Sequence, residues 1–332
     1  MTGGVTGTER RPAWLPRIKP DRQLGWYALA AAIVVFVVGE LIQPGFASAS
    51  GVKTVLVVAS FVGLVAAGQT LVVLIGGIDL SVPWMMNSMA VLLATASIGS
   101  NARAAWVVPL VLITGALLGA VNGLGVAVLS VPAVVMTLGM NGVLQGLTLG
   151  LTGGFTCATC GSAAPPALEA AVNGSVFGIP GQLIILFLVA VLLTVLLSWT
   201  SFGRRIYATG TNPRASVLAG VNVTRLTIGL YSLSGLFAAL AGILLTAYGG
   251  KATLGMGDPY LFQSIAAVVI GGVSILCGRG HYLGALAGSI TLTALVSVLL
   301  AKDMPDYGRD VVYGVVVLVI ALLYGRGERE AT

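Results

Sequence analysis

Charge is what this sequence has least of. Only 8% of its 332 residues are Asp, Glu, Lys or Arg, against 57% hydrophobic. Water-soluble domains carry about 25% charged residues, so a chain of this length could not coat a water-facing surface. Histidine occurs once, as His281, and cysteine three times. A single histidine at the end of an apolar run, with no ligand spacing around it, supports neither a metal site nor a Ser-His-Asp or Cys-His constellation. No G-x-x-x-x-G-K-[ST] phosphate loop occurs, so ATP hydrolysis is not expected of this chain. Intramembrane aspartyl chemistry needs paired buried carboxylates, and only Asp79 and Glu40 lie near apolar segments. Cys157 and Cys160 form a C-x-x-C, but two further zinc ligands are missing. Two free thiols or a local disulfide are the readings left. No catalytic residue, metal or cofactor is expected.

Long apolar runs and 46 glycines are what the sequence does have. Lipid explains both, since it solvates apolar side chains and glycines let spanning helices approach closely. Ten candidate spans follow: 26–43, 53–75, 80–98, 105–129, 133–151, 182–199, 226–247, 260–276, 282–301 and 308–324. The fold class is all-α, a polytopic transmembrane bundle of about ten spans. Segments 80–98 and 260–276 each abut a Gly-Gly pair, which suggests broken or re-entrant elements. The domain reading is an N-terminal tail over 1–25, one membrane domain over 26–325 and a C-terminal tail over 326–332. The basic stretch ahead of the first apolar run has no cleavage site, so the first helix is expected to stay.

The net charge of +6 belongs to the flanks of apolar runs. It therefore points to the positive-inside rule and to lipid rather than to nucleic acid. With the N-terminus cytoplasmic, the inner side holds Arg10, Arg11, Arg17, Lys19, Arg22, Arg204, Arg205, Arg214, Arg225, Arg279, Arg326 and Arg329. The outer side holds Lys53, Arg103, Lys251, Lys302 and Arg309. This favours both termini inside. An inner loop over 200–225 is polar, basic and long for a connection. Within it, Pro213–Leu218 is predicted as a short helix, capped by Asn212, opened by Pro213 and stopped by Gly220. It reads either as a docking element or as an ordinary interfacial loop.

Several stretches, in this order, resemble the ribose/xylose-type ABC transporter permease family. They are GQTLVVLIGGIDLSV from Gly68, VPAVVMTLGMNGVLQGL from Val131, the long block from Phe202 to Leu244, and Ser264 to Ile290. The resemblance covers roughly residues 45–325. It implies an ABC importer permease fold in the bacterial cytoplasmic membrane, built as a dimer with a second permease copy. It also implies ATPase subunits docked on the cytoplasmic loop and an extracytoplasmic binding protein delivering a monosaccharide. Asn212, Pro213, Arg214, Ala215, Ser216 and Gly220 then form the ATPase-coupling loop. The sequence departs from the family at Arg214, where an acid is usual. It departs again at Leu261 and Gln263, at Cys277-Gly278-Arg279-Gly280, and at Pro83. These changes bear on the substrate more than on the fold.

A sugar crossing the membrane needs groups that both donate and accept, and amides do so. Gln69, Asn87, Asn122, Asn141, Gln145 and Gln263 are therefore the expected pathway residues. The alternative for each is a helix–helix hydrogen bond, worth about 0.6 kcal/mol. Gly76, Gly77, Asp79 and Ser81 form the signature helix break; Asp79 reads either as a functional intramembrane acid or, the favoured reading, as a cap on the next helix that accepts N–H bonds from around Val82. Ile75–Leu80 also echoes Ile270–Ile275, a faint internal repeat. A self-sufficient secondary transporter or channel for a small polar solute is the competing reading. That class often buries ionisable residues for ion coupling, and this chain has almost none.

Overall fold

The computed structural model describes residues 22–155, 163–274, 278–302 and several positions between 304 and 315. The elements run α1 (Arg22–Ile42), α2 (Ala49–Val73), α3 (Val82–Ser97), α4 (Asn101–Ala127), α5 (Ala133–Thr152), α6 (Pro166–Asn173), β1 (Ser175–Val176) and β2 (Ile179–Pro180). They continue as α7 (Gly181–Trp199), α8 (Ser201–Thr211), α9 (Pro213–Leu218), α10 (Val223–Gly249), α11 (Tyr260–Ile270) and α12 (Tyr282–Leu300). The two strands pair antiparallel as a small hairpin.

The expectation of about ten spans is not met. Among the described residues six helices, α2, α4, α5, α7, α10 and α12, are long and apolar enough to cross a bilayer. Two expected segments are shorter, α3 with 16 residues and α11 with 11, while α1 runs 21 residues with Tyr27–Ile42 as its described apolar part. At 1.5 Å per residue, α3 and α11 extend only about 24 and about 17 Å. Their ends explain it. The start of segment 80–98 is taken up by a non-helical stretch, and its end turns at Ile98 (φ 49). Segment 260–276 stops where Gly272 takes φ +75. The tenth segment, 308–324, lies mostly outside the described residues. So do residues 1–21 and 326–332, and all three cysteines, Cys157, Cys160 and Cys277.

The core forms around α2, which is buried without interruption from Ala59 to Leu74. A helix apolar on every side belongs inside, and α10, α12, α11 and α7 pack against it. The most extensive helix pair is α4 with α10. Gly115, Gly119 and Gly123, four residues apart, put a bare stripe of α4 against α10. A methyl on Gly115 would lie 2.6 Å from Ala239 Cβ, and one on Gly123 2.6 Å from Ile228 Cα. One on Gly119 would overlap the Tyr231 carbonyl oxygen. The close approach lets Ser232 donate its hydroxyl to the Ala116 carbonyl at 2.9 Å.

On α5 the same residue type does the opposite. Gly139, Gly142, Gly146 and Gly150 have no atom within 4 Å of an added methyl. They lie among exposed Leu138, Val143, Leu147 and Leu151, so this face of α5 is uncovered in the single chain.

Candidate functional site

Two helices end in the same way. At the end of α2, the Gly76 N–H donates to Val73 O and the Gly77 N–H to Val72 O, with Gly76 at φ +82. At the end of α11, Gly272 donates to Val269 O and Val273 to Val268 O, with Gly272 at φ +75. Both are left-handed helix stops that need glycine at one position. The sequence echo is therefore real at the backbone level but shifted by one residue. The left-handed position is the first glycine of one pair and the second of the other.

After the first break the chain is non-helical through Ile78–Leu80, and Ser81 is the N-cap of α3. Asp79 sits there, 1% exposed. It does not cap α3 from Val82 as expected. One carboxylate oxygen accepts the Ser81 N–H at 3.0 Å and the Ser81 hydroxyl at 2.6 Å. The other accepts the Ser234 hydroxyl of α10 at 2.7 Å. Ser81 in turn accepts from Asn122 Nδ2 of α4 at 2.9 Å. A carboxylate placed this deep is held by hydrogen bonds that favour it, from its own turn and from a facing helix.

Two backbone amides at the entry to α3 are satisfied from outside. Thr137 of α5 accepts the Leu80 N–H at 3.0 Å, and Asn141, one turn on, accepts the Trp84 N–H at 3.3 Å. Further along the same face, the Thr148 and Ser88 hydroxyls share a hydrogen bond of 2.6 Å. A helix start that opens inside a bundle has no water for its free N–H groups, and here α5 supplies the acceptors. Tyr231 fills the remaining space, and a methyl on Gly77 would meet its hydroxyl oxygen at 2.5 Å.

The expected pathway residues do not converge on one spot. Asn122 belongs to the Asp79 network and Asn141 to the start of α3. Asn87, fully buried on α3, accepts the Gly255 N–H at 3.1 Å. Gln69 is fully buried on α2, and neither of its amide atoms has a partner among the described residues. Asn87 Nδ2, Asn122 Oδ1 and the Tyr231 hydroxyl are likewise unpartnered. Gln263 is half-buried on α11, and Gln145 is exposed on the glycine-lined face of α5. Ser234, Tyr231 and Thr137 were not among the expected site residues. The 3.6-residue spacing of Thr137, Asn141 and Thr148 is the signal that could have found one of them.

The loop over 200–225 forms two helices. In α9, Pro213 stands at the first position and Asn212 Oδ1 accepts the Ala215 N–H at 3.0 Å. Gly220, at φ +82, ends the turn, and Val221 N–H donates to Ser216 O at 2.9 Å. The short helix expected from the sequence is thus present, with Arg214 exposed, Ser216 buried and Leu218 89% exposed. The preceding α8 buries Ile206 and Tyr207 and leaves Arg204 and Arg205 outside. Tyr207 donates its hydroxyl to Gly280 O at 2.9 Å, and burial pushes its pKa up to about 12. His281 opens α12, its Nδ1 accepting the Leu283 N–H at 3.2 Å while its Nε2 shares a hydrogen bond of 2.9 Å with the Ser198 hydroxyl.

Among the described residues, six helices long and apolar enough to cross a bilayer, packed around a core with two helix breaks, mark a multi-pass membrane protein. The chain belongs to the family described as branched-chain amino acid transport system / permease component, which matches residues 51–321. It is 32% identical over 292 residues to the ribose import permease protein of Haemophilus influenzae, covering 88% of this chain and 90% of that one. The ribose import permease protein of Bacillus subtilis is 35% identical over 290 residues, 87% and 89% of the two chains. An autoinducer 2 import system permease protein of Escherichia coli is 33% identical over 303 residues, 90% and 86%. No solved structure matches the chain.

Proposed function

We propose that this chain is the membrane-spanning subunit of an ATP-driven ABC importer that carries a monosaccharide across the bacterial cytoplasmic membrane. The observation that carries the reading is end-to-end similarity to import permeases for ribose and autoinducer 2. The family description names amino acids, so the fold serves more than one solute. The relatives at 32–35% identity favour a small hydroxylated one.

ATP is split on partner ATPase subunits, which dock on α9. Its support is a rigidly capped helix that presents Val217 and Leu218 outward, 57% and 89% exposed. An extracytoplasmic binding protein delivers the sugar. Both termini lie in the cytoplasm, in keeping with the distribution of Lys and Arg. A second copy of the chain packs on the uncovered face of α5. Bare glycines and the exposed amide of Gln145 suit a protein or aqueous neighbour better than lipid tails. Gln69, Asn87 and Asn122 keep buried polar atoms without partners among the described residues, as a route for hydroxyl groups requires.

The test is uptake of labelled D-ribose, D-xylose and D-galactose into proteoliposomes holding the chain, its gene-neighbour ATPase and binding protein. ATP-dependent uptake supports the importer. Uptake by the chain alone, without ATPase, would establish the secondary transporter instead.

A further inference from the structure

One residue of α8 touches the first helix break and the segment that folds back on the second. A methyl on Gly210 would overlap the carbonyl oxygen of Leu74, the cap residue of α2, and would lie 2.8 Å from Gly278 Cα. The contact is mutual, since a methyl on Gly278 would lie 2.7 Å from the Gly210 carbonyl carbon. Gly278 begins the segment that folds back on the second break. Arg279 O accepts the Ser274 N–H at 2.8 Å, and a methyl on Gly280 would lie 2.6 Å from Val273 Cα. One turn before Gly210, the buried Tyr207 hydroxyl holds the same segment through Gly280 O at 2.9 Å. No spacer separates these backbones, so a displacement of α8 cannot be absorbed by side-chain rearrangement. Only one residue, Asn212, separates α8 from α9.

We infer that α8 is a strut seated on both helix breaks, and that Gly210 is the positioning residue through which movement of α9 reaches them together. The first break leads within five residues to Asp79, and the second leads into α12. Given the importer reading above, on which this rests, an ATPase pushing on α9 acts on both interrupted helices at once.

Gly210→Val, Gly210→Ala and Tyr207→Phe test this in reconstituted importer. Three quantities are read: co-purification of the ATPase, stimulation of its activity by sugar-loaded binding protein, and uptake of the sugar panel. The expected result is uncoupling. Gly210→Val keeps the ATPase at the wild-type level but loses stimulation and at least tenfold of uptake. Gly210→Ala loses less, and Tyr207→Phe, which removes only the hydroxyl, loses a few-fold. If Gly210→Val fails to insert, the two milder variants decide. Wild-type stimulation and uptake in both would overturn the strut. Loss of ATPase binding in step with uptake would also overturn it, because the residue would then serve docking. Absence of ATP-dependent uptake by the wild-type chain would remove the importer reading, and the strut with it.

Discussion

Ser234 and Asp79 lie 155 positions apart in sequence and 2.7 Å apart in the fold, hydroxyl to carboxylate. That bond ties the first helix break to α10, while Ser81 and Asn122 tie it to α4. The break is thereby a fixed element joined to two long helices rather than a loose loop. A buried carboxylate with three donors on it cannot be removed quietly.

Asp79→Leu is expected to destabilise the detergent-solubilised protein by about 2–4 kcal/mol, since it leaves several buried donors unpaired. Asp79→Asn keeps an acceptor for Ser81 and can donate to Ser234, so its loss is about 1 kcal/mol. Thermal unfolding followed by size-exclusion chromatography measures both. Equal melting of the Leu variant and wild type would contradict the network.

Glycines on α4 and α5 should respond oppositely. Gly119→Ala forces a methyl onto the Tyr231 carbonyl and is expected to cost about 1–3 kcal/mol by overpacking. Gly146→Ala meets nothing within 4 Å and should leave the single chain's melting temperature unchanged. Gly146→Trp should keep insertion but lower uptake if a second copy covers α5. Unchanged uptake and unchanged dimer cross-linking would remove that copy from this face.

Asn141 and Gln145 share a helix but not a role. Asn141→Leu takes away the acceptor of the Trp84 N–H and should lower stability by roughly 1–3 kcal/mol. Gln145→Leu touches no described hydrogen bond, so stability should hold while uptake falls. If both variants transport normally at normal expression, neither residue lines the pathway.

For α9, Asn212→Ala removes the cap on Ala215 N–H and should weaken the short helix by about 1 kcal/mol. Leu218→Asp or deletion of 213–218 should leave insertion intact and abolish ATPase association. Recovery of the ATPase with the deletion variant would place the docking site elsewhere.

Local chemistry made some of this readable in advance. Asn212, Pro213 and Gly220 carry their own cap, start and stop within nine residues, so α9 could be drawn from the sequence and was found as drawn. The apolar runs likewise announced a membrane protein, because lipid is the only solvent that tolerates so little charge. What failed were judgments that need neighbours. The Gly-Gly pairs beside 80–98 and 260–276 suggest interrupted elements, and α3 and α11 are short, but where each helix stops, the latter as Gly272 turns left-handed, is not in the spacing. Asp79 reads as a cap from its spacing, yet its carboxylate answers Ser234 on a helix no spacing argument connects to it.

The sequence by itself determined that this chain lives in lipid, that it breaks helices at two Gly-Gly pairs, and that it presents a capped helix in its longest basic loop. Each follows from composition or from interactions within a few residues. Only the tertiary structure decided which glycines are contacts and which are bare, which amides are structural, and that Gly210 meets the first break and the segment folded back on the second. Those depend on the partner across the gap, and close packing between distant segments leaves no mark in the text of either one.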